Sequence, residues 1–502
     1  MLETLYQGLL LLFNFSTMGM IAIGVLVGIV FGCLPGLTTA MAMSIFVPIT
    51  FFLDPLLGIP FLVGIYKGGI YGGSIPAILI GTPGTGASVA TVADGYEMTK
   101  QGKSGKALHM ALDASVLGDS ISSIFTIFTI SFFSQLARQI GVVEIFAVLV
   151  FTFIILTNVS DKGVIKGLIS GTLGLVFSIV GLDIFTGTTR LTFGSNFLMN
   201  GISFIPLLIG AYAMSEMIAM ISRQFKFGER FIFDKSIIRK GYERVSKSEL
   251  FSCLPTIIRS SFIGMFIGAV PGIGQSTAAF LSLNIAKNSS KNPEKFGKGA
   301  LEGIAAAESG NNAVNGTTFI PLLTLGIPGD VITAILLGAF VVHGLRPGPF
   351  LMRDYGPLVS AILLSMMVAN IFLYIEGKLL LPLFSKIVLT PKEVLIPIIL
   401  SLIVVGGYSI NNSILDLGVI LIFGVLGYFM KLYGFPLAPF IILFMLGSMI
   451  EISLGQTLIK GGGNLSIIFL RPISRFIIIL TVLFIVYQIY NKYFKKKVFR
   501  QS

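Results

Sequence analysis

Ile75-Pro76-Ala77-Ile78-Leu79-Ile80-Gly81-Thr82-Pro83-Gly84 lies in an otherwise apolar region. Ile320-Pro321-Leu322-Leu323-Thr324-Leu325-Gly326-Ile327-Pro328-Gly329 repeats its pattern, IP-x4-G-x-PG, 245 positions later. Ahead of each copy stands a second shared element, Gly32-x-Leu34-Pro35-Gly36-Leu37 in one case and Gly268-x-Val270-Pro271-Gly272-Ile273 in the other. Proline removes a helix N–H and glycine permits strained backbone, so each element should interrupt a helix. Interrupted helices at membrane depth persist only where protein covers them or they line a watery cavity. Two such pairs, one in each half, are the sequence pattern of a secondary transporter's binding site.

The rest of the chain fits a membrane setting. Of its 502 residues 54% are hydrophobic and 12% charged, against roughly 25% charged in soluble domains. Stretches such as Met18–Val30 with its flanks, Val142–Leu156, Gly201–Ile221, Ala361–Leu381, Glu393–Val405 and Phe476–Tyr490 are continuously apolar. A spanning helix needs ~20 such residues, and spanning strands would alternate apolar with polar residues instead. The expected fold class is an all-α polytopic membrane protein, built of two inverted-topology repeats with broken or re-entrant helices and about a dozen transmembrane segments. No early basic region or small-residue cleavage site stands out, so the first span is expected to act as its own insertion signal.

The net charge of +12 is unevenly placed. Arg223, Lys226, Arg230, Lys235, Arg239, Lys240, Arg244 and Lys247 crowd one loop, and Lys492, Lys495, Lys496, Lys497 and Arg500 form the C-terminal tail. That is the positive-inside signature of cytoplasmic segments beside a lipid bilayer, not a nucleic-acid surface. The basic loop divides the chain into a first transmembrane repeat at residues 1–222, a cytoplasmic linker at 223–250, and a second repeat with the cytoplasmic tail at 251–502. Charge also orients the halves. In the first, the loop near Asp54 lacks Lys and Arg, and the segment after the second interruption carries Lys100, Lys103 and Lys106. In the second, the loop after the first interruption carries Lys287, Lys291, Lys295 and Lys298, and His343–Arg353 has only Arg346 and Arg353. Corresponding loops have opposite bias, so the halves should lie upside down relative to each other.

The candidate site follows from the interruptions. Pro35-Gly36 should end a helix and leave Thr38 or Thr39 near the start of the next. Pro271-Gly272 with Gly274, Gln275 and Ser276 is the matching turn. Helix N-termini present free N–H groups and partial positive charge, which suit a carboxylate. Gly73-Ser74 precede the first IP-x4-G-x-PG and Thr82-Pro83-Gly84-Thr85 close it. Asn311, Asn312, Asn315, Thr317 and Thr318 precede the second, and Pro328-Gly329-Asp330 close it. Buried polar groups are costly unless paired, so these residues should face a substrate site. Lys67 aligns with Asn312; it either attracts an anionic substrate, pairs with an acid or snorkels to the interface. Unwound carbonyls near Gly84 and Gly329 are candidate Na⁺ ligands. For any single residue, kinking or small-residue packing is the plainer explanation; four interruptions in symmetric positions weigh against it.

Other motifs exclude functions. Gly81–Ser88 superficially looks like a phosphate-binding loop, but Ala87 stands where its Lys belongs. Glu308, Asp113 and Asp119 are further acids in apolar sequence, and the two aspartates, six positions apart, share a helical face poorly. Asp183, Asp416 and Glu451, near span ends, should be solvated. His109 and His343 allow no histidine metal set or triad, and Cys33 and Cys253 read as structural. No catalytic residue and no organic cofactor are expected.

With these residues in view, Gly69–Lys106 resembles the hallmark segment of the large membrane subunit of tripartite tricarboxylate transporters, the TctA type. Leu34-Pro35-Gly36-Leu37-Thr38, Thr189-Arg190-Leu191-Thr192-Phe193-Gly194 and Ala307-Glu308-Ser309-x-Asn311-Asn312-Ala313 are similar to it as well. So are Phe319–Gly329, Gly424-x-x-Gly427-Tyr428 and Gly434-Phe435-Pro436, and the resemblance covers nearly the whole chain. It implies a bacterial inner-membrane importer of small carboxylates such as citrate. Partners would be a small membrane subunit and a periplasmic or lipid-tethered solute-binding protein, and Na⁺ or H⁺ symport would drive transport. Glu229–Lys247 shows no family motif, and the chain has no Trp. The alternative is an ion channel with a broken-helix filter, which two unequal repeats suit less well. An intramembrane enzyme would have to rely on Lys67 with Ser74, two helical turns apart.

Overall fold

The structure is a computed structural model that describes residues 2–158, 163–227 and 243–498. In chain order its first helices are α1 (Leu2–Leu12), α2 (Phe15–Cys33), α3 (Thr39–Thr50), α4 (Pro55–Gly72), α5 (Ser74–Ile80), α6 (Val89–Lys100) and α7 (Ser104–Ala137). Then come α8 (Val142–Asn158), α9 (Val164–Ser178), strands β1 (Gly181–Leu182) and β2 (Thr189–Arg190), and α10 (Phe204–Gln224). The second half holds α11 (Lys247–Ala269), α12 (Gly274–Ser289), α13 (Leu301–Thr317), α14 (Phe319–Leu325), α15 (Val331–Val342) and α16 (Gly356–Leu379). It ends with α17 (Lys392–Ser409), α18 (Ile414–Leu432), α19 (Leu437–Lys460) and α20 (Pro472–Val498). Among the described residues seven helices, α2, α7, α10, α11, α16, α18 and α19, are long and apolar enough to cross a membrane. The almost wholly helical architecture of a polytopic membrane protein is as expected.

The interruptions are of two kinds. At the PG turns α2 stops at Cys33 and α11 at Ala269, and the chain reverses through Gly36 at φ +90° and Gly272 at φ +91°. Only glycine takes these angles cheaply. Thr38 then caps α3, its hydroxyl accepting the Met41 amide at 3.2 Å. Within IP-x4-G-x-PG the helix is interrupted at the glycine, and at the IP pair it is only locally disturbed. Gly73 and Thr318 keep right-handed helical angles, and the Gly73 amide still reaches the Gly69 carbonyl at 3.1 Å. Pro76 and Pro321 fall in the first turn of α5 and α14, where a missing N–H leaves nothing new unpaired. Each helix ends further on, at Gly81 (φ +68°) and Gly326 (φ +69°), in left-handed caps. The Thr82 amide returns to the Pro76 carbonyl at 3.3 Å and the Ile327 amide to the Pro321 carbonyl at 3.2 Å.

Glycine stripes bring the broken helices together. Gly24, Gly28 and Gly32 on α2 face Gly64, Gly68 and Gly72 on α4. A Cβ on Gly24 would stand 2.2 Å from the Phe61 carbonyl oxygen, and one on Gly68 2.2 Å from that of Val25. On α11 a Cβ at Gly264 would stand 2.3 Å from the Gly310 carbonyl oxygen of α13, and one at Gly268 2.7 Å from that of Val314. Small residues four apart on one face permit this backbone-to-backbone contact. It buries Gly58 through Gly72 of α4 and Gly303 through Thr317 of α13.

By packing, Met1–Ser134 with Ser203–Met430 form one compact unit, and Gln135–Ile202 with Lys431–Ser502 a second. Each draws on both halves of the chain, so packing cuts across the sequence division at 223–250; residues 228–242 of that linker and Arg500 of the basic tail lie outside the described residues. In the second unit α9 lies on α19, with Gly174 against the Phe440 carbonyl. β1 and β2 pair Gly181 with Arg190 and Leu182 with Thr189. Arg190 bridges Glu451 at 2.7 Å and Asp183 at 3.3 Å, so these two acids are ion-paired rather than simply solvated. The backbone amides of Thr186 and Phe185 hold the Asp183 carboxyl below the usual carboxylate range. In the first unit Asp416, also expected to be solvated, is buried and accepts from Asn411 at 2.8 Å.

Loops of the two halves also meet within the first unit. Gln101, after α6, donates to the Lys298 carbonyl at 2.8 Å, and Asp94 accepts from the amides of Gly297, Gly299 and Ala300 at 2.7, 3.1 and 2.8 Å. At the start of α4, a Cβ on Gly58 would stand 3.0 Å from His343 Nε2 at the end of α15.

Candidate functional site

All the candidate residues fall in the first unit. Within each half the PG turn and the G-x-PG end cross. The Gly84 amide donates to the Gly73 carbonyl at 3.1 Å, and a Cβ on Gly84 would stand 2.5 Å from the Gly32 carbonyl oxygen. In the second half the Gly272 amide donates to the Gly329 carbonyl at 2.8 Å, and a Cβ on Gly329 would stand 2.9 Å from Thr318 Cγ2. Neither Gly84 nor Gly329 has a positive φ; at Gly84 the close approach of backbone is what requires glycine. Pro83 is half-buried and Pro328 buried beside these crossings, as Pro35 and Pro271 are half-buried in the turns. The tips of the two halves then touch. A Cβ on Gly86 would lie 2.9 Å from Ser276 Oγ, and Ala87 and Ala90 pack on Ala279 and Ala307.

One buried polar chain links the halves. Lys67 of α4 pairs with Asp119 of α7, both fully buried, and also donates to Ser123 at 3.2 Å. Ser123 donates to Asp119 at 3.0 Å, and Asn315 of α13 donates to the other Asp119 oxygen at 3.3 Å. Gln275 of α12 donates to Asn315 Oδ1 at 3.0 Å and to the Tyr66 hydroxyl at 2.9 Å. Tyr66 donates in turn to Asp330 at 3.2 Å, and Asp330 caps α15 by accepting the Thr333 amide at 2.7 Å. Of the three roles open to Lys67, the structure places it with an acid. A charge pair so far from water persists when its geometry and extra hydrogen bonds are good, and Ser123 and Asn315 supply them.

A second cluster centres on Glu308 of α13. Its carboxylate is bonded by Ser74 at 2.6 Å and by Thr91 on one oxygen, and by Ser115 at 3.1 Å on the other. Asn312 donates to Ser115 at 2.9 Å and to the Glu308 carbonyl at 3.0 Å. Ser74 is thus engaged by Glu308 and Lys67 by Asp119, so the two do not form a Ser–Lys pair.

Six of the polar candidates, Lys67, Ser74, Gln275, Asn312, Asn315 and Asp330, belong to these networks. Others pack locally. Thr39 abuts Gly69, Thr317 abuts Gly268, the Thr318 hydroxyl bonds the Asn315 carbonyl at 3.1 Å, and Thr85 exchanges hydrogen bonds with Ser88. Gly274, at φ +77°, opens α12 with no atom near a would-be Cβ, and Ser276 beside it is exposed. Asn311 is buried, and among the described residues its side-chain amide has no hydrogen-bond partner. Sequence reasoning left Asp119, Ser123, Ser115, Thr91, Tyr66 and Glu308 out of the site. Ser115, Asp119 and Ser123 recur every fourth residue along α7, a one-face polar stripe that was there to be read.

Paired helix interruptions around a buried charged network, in a polytopic helical membrane protein, define a membrane transporter. Comparison with known proteins agrees. The chain belongs to the tripartite tricarboxylate transporter TctA family, which matches residues 18–442. A protein of Agrobacterium vitis, described as an uncharacterized 52.8 kDa protein in the TAR-I ttuC' 3'region, is 35% identical over 457 residues, 90% of this chain and 89% of its own. Another from the same organism, an uncharacterized protein in the TAR-II ttuC' 3'region, is 39% identical over 211 residues, 42% of this chain and 87% of its own. No solved structure matches. The family provides the large membrane subunit of a three-part transporter.

Proposed function

We propose that this chain is the large transmembrane subunit of a secondary transporter that imports small carboxylates, citrate-like tricarboxylates among them, across a bacterial inner membrane. A small membrane subunit and a periplasmic or lipid-tethered binding protein complete the system, and Na⁺ or H⁺ symport drives it. The observation that carries this reading is the pair of crossings, Gly84 over Gly32 and Gly329 bonded to Gly272, whose tips meet at Gly86 and Ser276. The N-terminus of α12 suits a substrate carboxylate. It has no side-chain cap, Gly274 leaves it open, and Gln275 and Ser276 stand beside it. Thr38 already fills the corresponding place at α3, and Asp330 caps α15.

We read residues 1–222 and 251–502 as inverted repeats with about a dozen spans and half-spans. Matched φ angles at Gly36 and Gly272 and at Gly81 and Gly326 support this. So does the meeting of the α6–α7 turn with the lysine-bearing loop before α13, and of Gly58 with His343. Labelled citrate uptake into proteoliposomes tests the function, with the small subunit and binding protein present and with or without a Na⁺ or pH gradient. Gradient-driven uptake that needs the binding protein is expected. Flux of inorganic ions with no gradient-driven uptake of any carboxylate would favour the channel.

A further inference from the structure

Glu308 is fully buried, and every group bonded to its carboxylate is neutral: Ser74, Thr91, Ser115 and, at 3.4 Å, the Asn312 amide. Among the described residues no Lys or Arg nitrogen pairs with it. The charged and titratable groups on neighbouring elements are otherwise engaged or add no positive charge. Lys67 and Asp119 balance each other. Asp94 on α6 accepts three loop amides. Tyr71 on α4 stands near Glu308 and Asp113, and Lys378 of α16 is paired with Asp113 at 3.8 Å. On α11 Glu249 pairs with Lys106, and on α13 itself Glu302 accepts from Thr256 and Ser290. Among the described residues the cations of the packed helices α11 and α12, Lys247, Arg259 and Lys287, make no ion pair with Glu308. An ionised carboxylate so placed carries a large desolvation cost that neutral donors offset only in part.

We propose that Glu308 is the proton-carrying group of this transporter, taking one proton on a carboxylate oxygen and releasing it during the transport cycle. The hydrogen bonds support a proton over a metal ion. Ser115 accepts from Asn312, so its own proton points to Glu308 Oε2. Oε1 meets two hydroxyls, Ser74 at 2.6 Å and Thr91; one can donate to it while Oε1–H donates to the other. A metal ion between such oxygens would hold them farther apart than a hydrogen bond does. The site is also placed to act on the first half. Ser74 follows the kink at Gly73, and Thr91 lies in the first turn of α6, so Glu308 grips both sides of the Gly81–Ser88 interruption. Loss of the proton changes the charge held between them. The role in transport rests on the function proposed above; the protonated state does not.

Infrared difference spectroscopy of the full chain in lipid vesicles, without substrate, tests it. Near neutral pH the native protein should show the C=O stretch of a buried carboxylic acid, and Glu308→Gln should lose it. Ser115→Ala, which removes one hydrogen bond, should shift the band without abolishing it, so the test survives poor insertion of the first variant. A spectrum unchanged by both substitutions, or a band lost when Na⁺ replaces choline, overturns the proposal. With both partners present, Glu308→Gln should retain citrate exchange and lose accumulation driven by a pH gradient; retained accumulation also overturns it. A native protein that moves no carboxylate would overturn the transport function and leave the infrared result standing.

Discussion

A Cβ placed on Gly84 would stand 2.5 Å from the carbonyl oxygen of Gly32, a contact between the G-x-PG end and the helix leading into the PG turn of the same half. The second half makes the equivalent crossing with different chemistry. There Gly329 faces the methyl group of Thr318 at 2.9 Å, and its carbonyl accepts the Gly272 amide. One crossing is closed against backbone and the other against a side chain that can rotate.

That difference makes Gly84→Ala more damaging than Gly329→Ala. Overpacking against backbone costs about 1–3 kcal/mol, and the Gly32 carbonyl cannot turn away as a threonine methyl can. Gly84→Ala should cut uptake sharply while the protein still inserts. Gly329→Ala should retain most of it, and Gly329→Ala with Thr318→Ser should retain more. Uptake paired with size-exclusion profiles decides the matter; equal losses at the two glycines would contradict it.

The Lys67–Asp119 pair predicts a stability pattern. Lys67→Met leaves the Asp119 charge buried without its cation, and breaking such a pair costs about 3–5 kcal/mol. Asp119→Leu strands Lys67 in the same way. Each single variant should lower the detergent-solubilised melting temperature strongly, and the double variant should recover much of the loss. Two single effects that simply add would show that the pair is not the unit.

The interruptions were legible because left-handed angles at Gly36, Gly272, Gly81 and Gly326 leave a local mark that only glycine satisfies. Within IP-x4-G-x-PG the glycine ends the helix, while the proline, in a first turn, leaves no N–H newly unpaired. The charges were harder to place. Asp113 lies six positions from Asp119 on another face of the helix, whereas the partner of Asp119, Lys67, lies 52 positions away. Glu308 finds Ser74, Thr91 and Ser115 at separations of 234, 217 and 193 positions. Helical period carries no record of such distant pairings. The division into two packing units is equally non-local, since each gathers segments from both halves.

Inverted repeats put corresponding loops on opposite sides of the membrane. Lys103 and Asn292 are both exposed, one after α6 and the other before α13. Phe52 and Arg346 are exposed near the Asp54 and His343 ends. Single cysteines at Lys103 and Asn292 should react with an impermeant maleimide only from the cytoplasmic side, and those at Phe52 and Arg346 only from the other. The native Cys33 and Cys253 are buried and should contribute little background. Labelling of Lys103→Cys and Asn292→Cys from opposite sides would end the inverted reading.

The contact between Gly86 and Ser276 allows a direct test of movement. A Cβ on Gly86 would lie 2.9 Å from Ser276 Oγ, close enough for a disulfide with little backbone adjustment. The two residues belong to different halves, at the tip of one interruption and the start of α12. In the Gly86→Cys, Ser276→Cys variant, oxidation should link them and stop uptake, and a reductant should restore it. Each single variant should transport regardless of redox state. Full cross-linking with undiminished uptake would mean that the two tips travel together, and that access to the site changes by movement elsewhere in the chain.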